Sequence, residues 1–139
     1  MQHWSSRFIG LPHAPFGADR DGVNCWTLIV LVYRERFGVT LPTYLDRFVS
    51  LEETGEIAAL MSVEAAGAPW SKVTDATEGD VALFRRGSMA AHVGLVIRPG
   101  LMLHVAAEDC SKIERYDCGP WSNRLVAIMR HDALRQVAA

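Results

Sequence analysis

An α+β fold, with N-terminal helices packed on an antiparallel sheet of about five strands, follows from three features of the chain. Ahead of residue 79 the apolar residues recur with helical spacing; beyond it they come in short runs set off by turn residues. The run from Cys25 to Tyr33 is apolar on almost every side, as a helix buried in a core requires. The later runs are joined by tight turns, Arg98-Pro99-Gly100 among them, which suit an antiparallel meander.

The elements follow in order. Residues 9–24 read as an irregular loop rich in Gly, Pro and Asp. Asn24 is a good N-cap for a helix that opens at Cys25, continues to Phe37 and stops at Gly38. A second helical region follows Leu41-Pro42. There Thr43 with Asp46, and Ser50 with Glu53, resemble capping boxes, so two short helices broken near Ser50 are expected, ending at Gly67-Ala68-Pro69. The strands are then Asp80–Arg85, His92–Arg98, Leu101–Ala106, Ser111–Tyr116 and Leu125–Arg130. No repeat, low-complexity block or linker interrupts residues 1–139, which read as a single domain.

Composition narrows the function classes. A chain of 139 residues can bury a core without disulfide or metal staples, and 50% hydrophobic with 22% charged residues excludes extended disorder. A formal net charge of -2 argues against a nucleic-acid partner held by bulk positive charge. The apolar stretch from Cys25 to Tyr33 is far too short to cross a bilayer, so no membrane insertion is expected. Residues 1–10 hold no long apolar run behind a basic start, so a product made in the cytoplasm without a secretory signal is expected. The cysteines are Cys25, Cys110 and Cys118, an odd number that suits a reducing compartment or leaves one thiol for chemistry.

Cys25 is the sharpest candidate. In the first turn of a helix a thiol sits in the positive field of the N-terminus, which lowers its pKa from about 8.5 into the range of roughly 3.5–7.5. The alternative is a structural cysteine at the start of a core helix. His92 and His104 each lie inside an apolar strand, where a charge-capable side chain needs a partner. With Ile97 opposite Leu101, His104 faces Gly94 and lies diagonal to His92 on one face, about 7–8 Å away. A neighbouring register sets the two directly opposite. The tight alternative, Arg98 opposite Leu101, sends them to opposite faces. Pro99-Gly100 favours that last arrangement through a type II turn, whereas a three-residue loop with Gly100 left-handed fits a hairpin's twist better. The same-face arrangement is favoured, and it makes a Cys-His-His constellation in which Cys25 attacks, His92 shuttles the proton and His104 orients His92. Two satisfied core histidines are the bland alternative.

The ordered set Gly10-Leu-Pro-His13, Gly17, Gly22-Val-Asn24-Cys25-Trp26, Gly79-Asp80-Val81, His92-Val93-Gly94-Leu95 and Leu103-His104-Val105 resembles the NlpC-type cell-wall cysteine peptidases. It is most similar to the compact versions found as tail-tip assembly proteins of tailed phages, which share the Tyr33-to-Pro42 stretch and the Trp121-Ser-Asn-Arg124 ending. The resemblance covers residues 4–130. It implies a papain-like fold and hydrolysis of amide bonds in peptidoglycan stem peptides, commonly between D-glutamate and a diamino acid. It also implies a virion tail-tip location among other tail-tip proteins, no cofactor, and a catalytic set of Cys25, His92 and His104. A structural tail-tip plug and a thiol acyltransferase using the same Cys-His pair are the alternatives.

Three positions depart from the family pattern. Asn24 replaces the usual Asp before the nucleophile, and Thr27 replaces a Gly two residues after it. His13 replaces a loop Tyr, and its ring N–H is a substitute oxyanion donor. His13, Asn24 and Trp26 are the expected oxyanion and substrate-binding residues. Trp4, Trp26, Trp70 and Trp121 are candidates to line a groove, with Trp26 and Trp121 better suited to a core. His3 and His131 read as solvated. His104, Cys110 and Cys118 lack the paired spacing of a zinc site, so no metal is expected.

Overall fold

The structure is a computed structural model that describes residues 3–43, 69–86, 89–106 and 109–134, with the side chains of residues 86 and 89–91 left aside. A 3₁₀ turn (Trp4–Phe8) leads into a two-stranded ribbon of β1 (Ala18–Asp19) and β2 (Gly22–Val23), and then into α1 (Cys25–Val32). The main sheet is built from β3 (Trp70–Val73), β4 (Val81–Arg86), β5 (Met89–Arg98), β6 (Leu101–His104), β7 (Lys112–Arg115) and β8 (Leu125–His131). Its order is β3-β8-β4-β5-β6-β7, antiparallel throughout.

The sheet has six strands rather than five. The additional one is β3, an edge strand that pairs Trp70 with His131 and Val73 with Ile128. The expected helices beyond Thr43, with their capping boxes, lie outside the described residues.

All eight residues of α1 are buried, which accounts for its nearly unbroken apolar sequence. The helix widens into a π turn over Tyr33–Phe37. Gly38, at φ 69°, ends it by donating its N–H to the Tyr33 carbonyl. That left-handed position is inexpensive only for glycine, so the stop is where the sequence places it.

Two apolar layers flank the sheet. On one face Val93, Leu95, Ile97, Leu103 and Val105 pack with α1, and on the other Phe84, Val96, Met102, Tyr116 and Ile128 form a smaller cluster beneath Trp121. A bidentate pair, Arg130 Nε to Asp80 Oδ1 and Nη2 to Oδ2, both at 2.9 Å, joins β8 to the turn before β4. Asp80 is fully buried and also accepts from the Thr77 N–H, so its charge is matched on several sides.

The β5–β6 hairpin resolves the competing registers. At the turn Arg98 faces Leu101, the tight arrangement with Gly100 at φ 90°. A register shift between Val96 and Arg98 then inserts one residue, so Val96 faces Met102 and Leu95 faces Leu103. The bulge returns the strand bodies to the register that sends His92 and His104 to one face.

Candidate active site

Asn24 sets the position of Cys25. Its side-chain oxygen accepts from the Trp26 and Thr27 N–H groups, each at 2.9 Å, while the Thr27 hydroxyl accepts from the Asn24 N–H at 2.8 Å. This reciprocal capping box leaves Cys25 in the first turn of α1, as expected. Thr27 also donates to the Gly17 carbonyl at 2.7 Å, so the hydroxyl that departs from the family Gly is directed into the preceding loop. Gly17 is required there, since a Cβ would lie 2.3 Å from the Gly22 carbonyl oxygen.

The loop ahead of α1 ties this turn to one end of the sheet. Pro12 bridges Cys110, His13 bridges Val23, and the Gly10 and Leu11 backbone bonds to Ser111 hold the same segment. Ser111 lies next to Lys112, which pairs with His104, so the loop reaches the end of β6 where His104 sits. His92 lies diagonal to His104 in the N-terminal half of antiparallel β5, and α1 packs against β5.

His92 Nε2 and His104 Nδ1 are 2.9 Å apart. The two imidazoles are edge-on, with centroids 5.1 Å apart. They share the sheet face of Phe84, because Val93, Leu95, Leu103 and Val105 take the alternate positions toward α1. His104 is fully buried. Its Nε2 lies 2.8 Å from Glu114 Oε1, but burial outweighs this hydrogen bond and lowers the His104 pKa below the ordinary histidine value. The imidazole is neutral near pH 7, and its contact with Glu114 is a hydrogen bond rather than an ion pair.

Trp121 stacks on His92, with centroids 4.8 Å apart and planes 23° apart, and its Nε1–H donates to Glu114 Oε2 at 3.3 Å. Arg85 holds the 119–124 turn over the sheet by donating to the Asn123 carbonyl at 2.9 Å. Trp121 therefore covers the histidines rather than filling the main core. Sequence reading missed Glu114, because Lys112-Ile-Glu-Arg115 has the alternation of a solvent-facing edge strand.

Elsewhere the expected positions separate. Asn24 and Trp26 are buried at 3% and 1%, and their side chains are engaged in the fold: Asn24 Nδ2 donates to the Pro15 carbonyl and Trp26 Nε1 to the Pro42 carbonyl. Trp70 is buried edge-on to Trp26. His131 is not a solvated residue, since it packs edge-on against Trp70 and Tyr33 and burial lowers its pKa. His13 is half-buried on the loop beside Val23. The three cysteines are outside any disulfide. Among the described residues no three His, Cys, Asp or Glu side chains group as a metal ion would require. None of the described helices is long and apolar enough to cross a membrane.

One family model and several known proteins are similar to this chain. The NlpC/P60 family model matches residues 10–130. Tail tip assembly protein K of Escherichia phage lambda is 31% identical over 134 residues, covering 95% of this chain and 66% of that protein. The chain thus spans just under two thirds of that relative. Among solved structures, the NlpC/p60 domain of peptidoglycan hydrolase SagA superposes with a TM-score of 0.60 at 16% identity, over 91% of this chain and 92% of that one. An NLP/P60 family lipoprotein-like protein from Staphylococcus aureus subsp. aureus Mu50 gives 0.66 at 19% identity, over 91% of this chain and 38% of that one. A family protein from Bacillus cereus ATCC 10987 gives 0.66 at 20%, over 91% and 37%. The fold is the papain-like α+β one expected, and the chain belongs to the NlpC/P60 family.

Proposed function

We propose that this chain is a cysteine peptidase that cleaves amide bonds in peptidoglycan stem peptides, working as a phage tail-tip component in wall penetration or tail assembly. The observation that carries the chemistry is the 2.9 Å contact between His92 and His104 at the sheet end to which the start of α1 is tied. An imidazole oriented by a second, buried imidazole suits a general base. Membership of the NlpC/P60 family and the likeness to a tail tip assembly protein support the substrate class and the tail role.

In this reading His92 takes the Cys25 thiol proton, and the thiolate adds to the scissile carbonyl carbon. His92 then returns the proton to the departing amine, leaving a thioester on Cys25. Water, activated by His92, cleaves the thioester to a carboxylate and restores the thiol. His13, on the loop beside Val23, donates an N–H to the oxyanion. Asn24 and Trp26 act from beneath by fixing the first turn of α1. In this reading Cys25 meets His92 from the first turn of α1.

Purified peptidoglycan digested with the protein tests this reading, with released fragments identified by mass. Wild type should release peptide fragments with a new amine and a new carboxylate, and Cys25→Ala should release none. Equal release by both, or none by wild type, contradicts it.

A further inference from the structure

Glu114 bridges the two groups that surround His92. One carboxylate oxygen meets His104 Nε2, and the other accepts from the indole stacked on His92. We propose that Glu114 is a positioning residue for the Cys25–His92 pair, setting which nitrogen of each imidazole carries the proton and, through Trp121, holding the plane of His92. The inference rests on the reading of Cys25 and His92 as nucleophile and base.

The proton pattern follows by elimination. A carboxylate only accepts, so the 2.8 Å contact requires the proton on His104 Nε2. His104 is buried and neutral, so its Nδ1 then carries the lone pair. The 2.9 Å contact in turn requires the proton on His92 Nε2. His92 Nδ1 is left with the lone pair that can take a proton from a thiol. Without Glu114, His104 could carry its proton on Nδ1 and invert the whole pattern.

Charge points the same way. Among the described residues, the titratable and charged groups near the pair include His92 on β5, His104 on β6, Lys112 and Glu114 on β7, Asp109 just before β7, Arg124 on the 119–124 turn, Arg85 bound to that turn, and Tyr116 against Phe84. Lys112 Nζ is 3.0 Å from Asp109 and 3.8 Å from Glu114 Oε1, so its charge is balanced mainly by Asp109. Arg124 lies over the Trp121 ring, 5.4 Å from the centroid. The Glu114 carboxylate therefore remains to support positive charge on the imidazoles when a thiol gives up its proton.

Ring nitrogen shifts measured by NMR across a pH series test this, in Cys25→Ala protein with Glu114 intact and with Glu114→Gln or Glu114→Ala. Gln keeps one accepting oxygen and so the short bond, but gives up the charge and the Trp121 bond. With Glu114 intact both imidazoles should be Nε2–H tautomers. Glu114→Gln should keep them but lower the pH at which the pair takes up a proton, by about half a unit. Glu114→Ala should populate both tautomers of His104. A Glu114-intact protein with His104 protonated on Nδ1, an unmoved midpoint in Glu114→Gln, or unchanged tautomers in Glu114→Ala each overturns the proposal. This readout needs no substrate. A normal tautomer pattern with no peptidoglycan cleavage removes the peptidase reading and leaves the hydrogen-bonded chain standing. Cleavage without the tautomer pattern removes Glu114 alone.

Discussion

In the proposed reaction the proton leaving Cys25 is held by His92, whereas His104 has only to orient that ring and support its charge. The two substitutions should therefore separate. His92→Ala should lose about 10²–10⁴-fold in turnover, close to the loss from Cys25→Ala, because members of one working unit fail together. His104→Gln keeps an acceptor for His92 and should retain part of the activity, while His104→Ala should retain less. Fragment-release rates on peptidoglycan check the order. Equal, complete loss in His104→Gln, with the fold intact by circular dichroism, would give His104 more than an orienting role. The histidine pair was legible in the sequence because each His interrupts an apolar strand. Glu114 was not, since its partner lies across a strand pairing that only the fold supplies.

The α1 cap is the element on which the position of Cys25 depends. Thr27→Val keeps the volume but removes the hydroxyl that accepts from Asn24 and donates to Gly17. It should cost about 1–2 kcal/mol, read as a lower urea midpoint at unchanged slope. No change in midpoint would show that the loop holds the turn unaided. The N-cap at Asn24 and the stop at Gly38 could be read locally, because a cap side chain and a left-handed glycine act within one turn. The π turn could not, since it depends on which carbonyl Gly38 selects. Strand β3 escaped for a related reason. Trp70-Ser-Lys-Val73 is too short for a clear alternation and becomes a strand by pairing with β8. In the β5–β6 hairpin, the type II turn of Pro99-Gly100 and the twist of the strands favoured different registers, and the bulge before Arg98 satisfies both.

At the scale of the whole fold, the fully buried His104 and the half-buried His131 tie stability to pH. Burial lowers the pKa of both His104 and His131 below 6.5, so the unfolded chain binds more protons than the folded one as the pH falls through that value. Their contribution is full above it and lost below it. Asp109 and Asp117 are held below their ordinary value of 3.8 by hydrogen bonds from the Cys110 N–H and Lys112, and from Arg115, so their share is lost only in stronger acid. Thermal midpoints should therefore fall from pH 7 to pH 5, and His104→Gln should flatten part of that fall. A midpoint constant over this range would mean that neither histidine is kept neutral by the fold. The central claim is that Cys25 is an activated thiol served by His92, and the rate at which each cysteine is alkylated as a function of pH, resolved by peptide mapping, tests it most directly. Cys25, although 5% exposed, should react at pH 6–7 well ahead of the exposed Cys110 and Cys118, and should lose that advantage in His92→Ala. A Cys25 that reacts no faster than the other two, or equally fast without His92, would contradict it.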